Sequence, residues 1–173
     1  MEYTIADIYA LPDGERAELL DGKIYYMALP DTRHQMLVSD FIYRIRDHIS
    51  RNHGECVVFP APFAVFINQD ERNYVEPDIS VICDKNKITD RGCNGAPDWV
   101  IEIVSPSSKT MDYIRKCTLY EAAGVREYWI VDPKERMVMV YDFAQGTLKQ
   151  YAFSERVKAG IYEDLFLDFG EVA

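Results

Sequence analysis

Long hydrophobic runs are missing from this 173-residue sequence. The longest apolar stretch, residues 57–67, is broken by Pro60 and Pro62 and falls well short of the ~18 consecutive residues of a membrane-spanning helix. No membrane partner is expected. The first residues carry Glu2, Asp7 and Asp13 without a basic cluster, which does not fit a secretory leader, so a cytoplasmic location is the expectation. Cysteine is sparse. Cys56, Cys83, Cys93 and Cys117 are separated by 27, 10 and 24 positions, with no CxxC or CxH spacing, which argues against a structural zinc site. Without an export signal, all four are expected as reduced thiols. Positive charge is scarce too: 19 Lys and Arg against 29 Asp and Glu give a net charge of −10. That excludes a uniformly basic nucleic-acid surface. The acid excess is concentrated at the ends, with six acids and one base in residues 1–22 and four acids and no base in residues 163–173. The middle is close to neutral and can carry a local basic face, although a solvated acidic surface is the simpler reading. A GxGxxG dinucleotide fingerprint and a GxSxG nucleophile elbow are both absent, as are internal repeats.

What is present is an ordinary globular balance, 48% hydrophobic and 28% charged, in a length that suits one domain over residues 1–173. Residues 4–12 read as a short helix, Gly22 as a turn and residues 23–29 as a strand. Thr32 and Gln35 have capping-box spacing. Val38, Phe41, Ile42, Ile45 and Ile49 then recur with helical period, which predicts a helix over 33–51. Strands are predicted at 56–59, 64–67, 75–83, 99–104 and 127–131, with loops at 85–97 and 105–109. A helix over 111–123 is ended by Gly124, and residues 137–143 and 148–153 form a hairpin across Gln145-Gly146. This order specifies an α/β domain with a mixed central β-sheet flanked by helices.

The chemistry is carried by acids placed in or beside apolar strands. Pro77-Asp78 opens one buried strand, and Glu102 interrupts another, Trp99-Val100-Ile101-Glu102-Ile103-Val104. A carboxylate in such a run is costly to bury unless it meets a cation or hydrogen-bond donors. Two of them on adjacent strands repel unless a divalent metal lies between them, and oxygen-only ligands favour Mg²⁺ or Mn²⁺. The alternative is that each acid sits at a sheet edge, facing water or pairing with an arginine. Lys116, with Leu119 and Tyr120 on its helix face, could point toward the sheet and orient a water beside the metal, or it could snorkel at the surface. Lys109 is the rival donor. Arg33, Arg44, Arg46, Arg51, Lys109 and Arg115 are candidates for phosphate contact, or for a solvated helix face. Asp98 and Asp112 read as a turn residue and a helix-start acid.

Three motifs together resemble the Uma-two family of restriction endonucleases, a branch of the PD-(D/E)XK nuclease superfamily. They are Val75-Glu76-Pro77-Asp78-Ile79-Ser80-Val81, the run Gly95-Ala96-Pro97-Asp98-Trp99-Val100-Ile101-Glu102-Ile103-Val104-Ser105-Pro106-Ser107-Ser108, and Ala123-Gly124-Val125-Arg126-Glu127-Tyr128-Trp129-Ile130-Val131-Asp132-Pro133. Glu18-Leu19-Leu20-Asp21-Gly22 and His34-Gln35 look like that family's opening. The resemblance spans residues 15–143. It implies a restriction-endonuclease-like fold and Mg²⁺-dependent (or Mn²⁺-dependent) cleavage of DNA. Asp78 and Glu102 would be metal ligands, with the Ile103 carbonyl as a third. The usual motif has lysine two residues after the second acid, where this chain has Val104. The resemblance therefore assigns that role to Lys116 on the following helix. Glu18 would be an N-terminal helix acid assisting the metal site. His34 and Gln35 would line the substrate cleft, with Arg33, Lys109 and Arg115 near the phosphates. The alternative from another class is a nuclease-fold protein that has lost cleavage and binds DNA or a second copy of itself. A homodimer is compatible with either.

Overall fold

The apolar stripe of Leu37, Val38, Phe41, Ile45 and Ile49 needs a hydrophobic surface to cover it, and this requirement organises the molecule. In the computed structural model, which describes residues 2–105 and 108–169, the stripe belongs to helix α2 (Thr32–Arg51) and packs on one face of a six-stranded sheet. Chain order is α1 (Ile5–Tyr9), β1 (Ala17–Leu20), β2 (Lys23–Tyr26), α2, β3 (Val57–Pro60), β4 (Val65–Phe66), β5 (Ile79–Ile82), β6 (Ile88–Thr89), β7 (Gly92–Asn94) and β8 (Trp99–Ile103). A widened, π-type helical turn (Met111–Lys116) follows and runs into α3 (Cys117–Ala123). The chain ends with β9 (Glu127–Asp132), β10 (Met137–Asp142), β11 (Thr147–Ala152), β12 (Val157–Lys158) and β13 (Phe166–Leu167). The expected mixed α/β architecture, a central sheet flanked by helices, is therefore present.

The main sheet has the order β11-β10-β9-β8-β5-β3, antiparallel except for β8 beside β9. Successive strand side chains point to opposite faces. Trp99, Ile101, Ile103, Trp129 and Val131 therefore join α2 in one core, while Val100, Tyr128 and Ile130 pack with Tyr120 of α3 on the other side. The same alternation sends Glu102 to the α3 face.

Several expectations are corrected. Residues 17–20 form β1, which pairs with β2 through the two-residue turn Asp21-Gly22, both at positive φ. The Asp-Gly pair is the sequence signal for such a hairpin. Within the expected loop over 85–97, β6 and β7 form and join β4, from the strand expected at 64–67, in a small sheet of order β4-β7-β6. The N-cap of α2 is Asp31, whose carboxylate accepts from His34 N at 2.8 Å. The reciprocal capping box is formed instead by Thr4 and Asp7 at α1. β12 and β13 form a further pair. Cys56 and Cys83 are joined in a disulfide, not reduced. The register Val57↔Ile82 places them opposite each other at the ends of β3 and β5, although they are 27 residues apart in sequence. Cys93 and Cys117 are free. Pro106 and Ser107 of the expected 105–109 loop, and Glu171 of the acidic C-terminal stretch, lie outside the described residues. No helix among the described residues is long and apolar enough to cross a membrane.

Candidate active site

A concavity of about 240 Å³ opens at the end of β5 and β8. Glu18, Asp78, Glu102, Ile103, Asp112, Lys116, His34 and Gln35 line it. These residues come from β1, the turn before β5, β8, the π-type turn and the start of α2.

Lys116 is the hub. It is 4% exposed, and its Nζ lies 2.8 Å from Glu18 Oε2, 2.9 Å from Glu102 Oε1 and 3.7 Å from Asp112 Oδ1. Tyr120, one turn further on, donates its hydroxyl to the same Glu102 oxygen at 2.8 Å. The hydroxyl of Tyr128 donates to the main-chain carbonyl of Asp112 at 3.0 Å and so fixes the π-type turn. A widened turn of this kind occurs often at functional sites; here it carries both Asp112 and Lys116 into the interior. The two sheet acids are tied to each other's strands. Ile103 N donates to Asp78 Oδ2 at 2.7 Å, and Asp78 N donates to Glu102 Oε2 at 3.3 Å. His34 Nε2 approaches Asp78 Oδ2 at 3.0 Å, while its Nδ1 is buried without a hydrogen-bond partner among the described residues. Glu18 also accepts from Glu76 N at 2.9 Å, which locks the β1–β2 hairpin against the approach to β5.

One ammonium faces three carboxylates, with Asp78 beside them on His34, and the titration behaviour follows from that imbalance. Burial pushes the Glu102 carboxyl well above the carboxylate range; Lys116 opposes this, and the charges of Asp78, Asp112 and Glu18 add to it. Burial likewise pushes Asp112 up to about 6 against the pull of Lys116 and Ser108. For Lys116, desolvation works to lower the pKa, but Glu102, Glu18 and Asp112 outweigh it and hold the ammonium well above the ordinary lysine value. His34 is raised because its bond to Asp78 and that residue's charge outweigh its desolvation. The cluster therefore keeps its lysine charged and has surplus affinity for a proton or another cation.

The sequence-named residues divide into two groups. Asp78, Glu102, Ile103, Lys116, Glu18, His34 and Gln35 converge on the cavity. Glu18 does so from a strand, not from the helix expected for it. Arg33, Lys109 and Arg115 are not among the lining residues. Lys109 is held by Asp132 at 3.3 Å and Glu135 at 3.1 Å, so it is no rival to Lys116. Arg44 pairs with Asp40 and Asp168, and Arg51 with Asp47. Asp98 accepts from Cys83 N and pairs with Arg126, a turn role as expected. Asp112 stands in the first turn of its helix, as expected, and is in addition a buried member of the cluster, 2% exposed. Its i,i+4 spacing from Lys116 was the available signal. Tyr120, Tyr128 and Arg16 were missed. Arg16 lines the cavity and donates from Nε to Glu76 Oε2 at 2.9 Å.

Comparison with known proteins gives a concordant picture. A family model described as "Putative restriction endonuclease" (Uma2) matches residues 5–170. An uncharacterized protein of Synechocystis, slr1290, is 25% identical over 148 residues, covering 83% of this chain and 76% of that protein. The crystal structure of a protein from Anabaena variabilis, titled a "putative nuclease belonging to DUF820", superposes with a TM-score of 0.78 at 22% identity, over 98% of this chain and 96% of that one. This last likeness establishes the fold.

Proposed function

The chain belongs to the Uma2 family, and on that premise we propose that it is a metal-dependent endonuclease that hydrolyses phosphodiester bonds of DNA at the Glu18–Asp78–Glu102–Lys116 cavity. The observation that supports this reading is the convergence of three acids and one buried lysine, drawn from four separate parts of the chain, on a single concavity.

The donor set fits a hard divalent cation. It is oxygen-only and carries surplus negative charge beside an open space. Among the described residues no three His, Cys, Asp or Glu side chains gather closely enough to hold a metal by themselves. Asp78, Glu102 and the Ile103 carbonyl would hold Mg²⁺ or Mn²⁺, with water and substrate completing the shell, as is usual for Mg²⁺. When bound, the ion supplies Lewis-acid polarisation of a phosphate oxygen and a lowered pKa for water. The remaining work falls to the chain. Lys116 orients the attacking water and offsets charge that develops on the phosphate. Glu18 and Tyr120 fix the lysine and the Glu102 carboxylate in place. His34 and Ile103 N hold Asp78 Oδ2. A symmetric pair of chains would explain how so small a domain cuts both strands of a duplex.

A plasmid and a single-stranded circle, each incubated with Mg²⁺ or Mn²⁺ and with EDTA controls, test the reading. Cleavage should need the metal and disappear in Glu102→Ala and Lys116→Ala. A folded wild-type protein that binds DNA and cuts neither substrate would replace this reading with that of a binding module.

A further inference from the structure

The cavity has two unlike walls. One is the charged cluster. The other is apolar and consists of Tyr25, Tyr26, Met27, Leu29 and Pro30 from β2 and the segment leading into α2. Leu29 is 96% exposed and Tyr26 is 65% exposed. An exposed apolar rim continuous with a polar site marks a binding surface, not core. Tyr25 is the cross-strand partner of Glu18, and directly opposed residues on paired strands share a face, so its ring lies beside the carboxylate cluster. The Arg115 guanidinium, on the residue preceding Lys116, stands 5.5 Å from the centre of the Tyr25 ring.

The two cations that line the cavity are committed to carboxylates. Arg16 is paired with Glu76, and Lys116 with Glu18 and Glu102. Arg44 and Arg51 are paired on or near their own helix. Affinity for a duplex comes largely from neutralising many phosphates, and this rim has little to offer for that. Stacking an unpaired base needs no surplus charge. It contributes about 1–3 kcal/mol per base on an aromatic ring, and arginine adds to it. The concavity, about 240 Å³, lies below the ~300–1,000 Å³ of ordinary small-molecule pockets.

Resting on the nuclease reading, we propose that Tyr25, flanked by Arg115 and the Tyr26–Leu29–Pro30 rim, is a stacking platform for an unpaired base next to the scissile phosphate. The substrate is then a single-stranded or frayed nucleic acid, not an intact duplex.

Binding in EDTA tests this without requiring catalysis. Fluorescence anisotropy would compare a labelled 12-nucleotide DNA strand, the same strand as RNA, and the blunt DNA duplex. The single strand should bind about tenfold or more tighter than the duplex, a stacking-sized difference. Whichever of the DNA and RNA strands binds more tightly identifies the sugar. A 2-aminopurine in the strand should lose fluorescence on binding as it stacks. Tyr25→Leu should weaken single-strand binding about tenfold, while Tyr25→Trp should retain it. Should Tyr25→Leu fail to fold, the 2-aminopurine signal of the wild-type protein decides. The proposal is overturned by equal or tighter duplex binding, by an unquenched 2-aminopurine, or by a folded Tyr25→Leu that binds like wild type. A dimer in sedimentation that Leu29→Asp dissociates would overturn it as well, because the rim is then the contact between two copies. Stacking without any metal-dependent hydrolysis would sink the nuclease reading alone. Hydrolysis of duplex without stacking would sink this proposal alone.

Discussion

Lys116 serves the fold as well as the proposed chemistry, because it is the cation that allows Glu18, Glu102 and Asp112 to be buried together. Removing one partner of a buried ion pair strands the other charges, at a cost of about 3–5 kcal/mol. Lys116→Met should therefore lower stability by that order in urea melts, and Mg²⁺ should restore part of it if the carboxylates bind the ion. Lys116→Arg should remain folded yet lose cleavage, since a guanidinium fork does not replace a compact ammonium. Asp112 gives a pH signature. Its folded carboxyl is raised from 3.8 to about 6, so the native state holds that proton more tightly than the unfolded chain. Its stabilising contribution is present at acidic pH and is lost as pH rises through about 6. Comparing urea midpoints at pH 4.5 and pH 7 should show a smaller fall for Asp112→Asn than for wild type.

At the scale of elements, the small sheet β4-β7-β6 depends on a close backbone approach. Gly92 has φ +135°, and a Cβ there would lie 2.2 Å from the Ala64 carbonyl oxygen. Gly92→Ala combines a backbone clash with a conformation that only glycine adopts readily. It should cost about 2 kcal/mol or more and appear as a lower urea midpoint, with loss of the β4–β7 pairing seen by hydrogen exchange. Helix α2, by contrast, was legible in its sequence from Val38, Phe41, Ile42, Ile45 and Ile49, because a 20-residue amphipathic helix repeats its signal over several turns. The two- and three-residue strands β4, β6, β7, β12 and β13 have too few residues to express any period, and tertiary contacts define them.

For the whole molecule, the strands at positions 56–60 and 79–83 are fastened together by the Cys56–Cys83 disulfide. Thiol titration of the denatured, unreduced protein should find two free cysteines, rising to four after reduction. Closing a loop of 27 residues is worth about 3–4 kcal/mol on the chain-entropy account, so reduction should lower the melting temperature by several degrees. The net charge of −10 sets a second expectation. With few unpaired cations near the cavity, nucleic-acid affinity should fall only gently with salt, with a log–log slope corresponding to about three or fewer phosphate contacts. A slope near that of a many-contact duplex binder would show that a basic surface elsewhere on the molecule does the binding.

The sequence by itself determined the α/β class, helix α2, the apolar strands β5, β8 and β9, and the identity of Asp78, Glu102 and Lys116 as the residues to watch. The class, the helix, the strands and the two acids rest on local information, a period of 2 or 3.6 or a charge in or beside an apolar run, while Lys116 was singled out by the family resemblance. Only the tertiary structure decided that Glu18 reaches the cluster from a strand, that Asp112 is buried with it, that Lys109 is tied up with Asp132 and Glu135, and that Cys56 meets Cys83. Those outcomes depend on which strands become neighbours. Apart from Asp112, which is four residues from Lys116, the partners lie far apart in the chain, and no short window of sequence contains both.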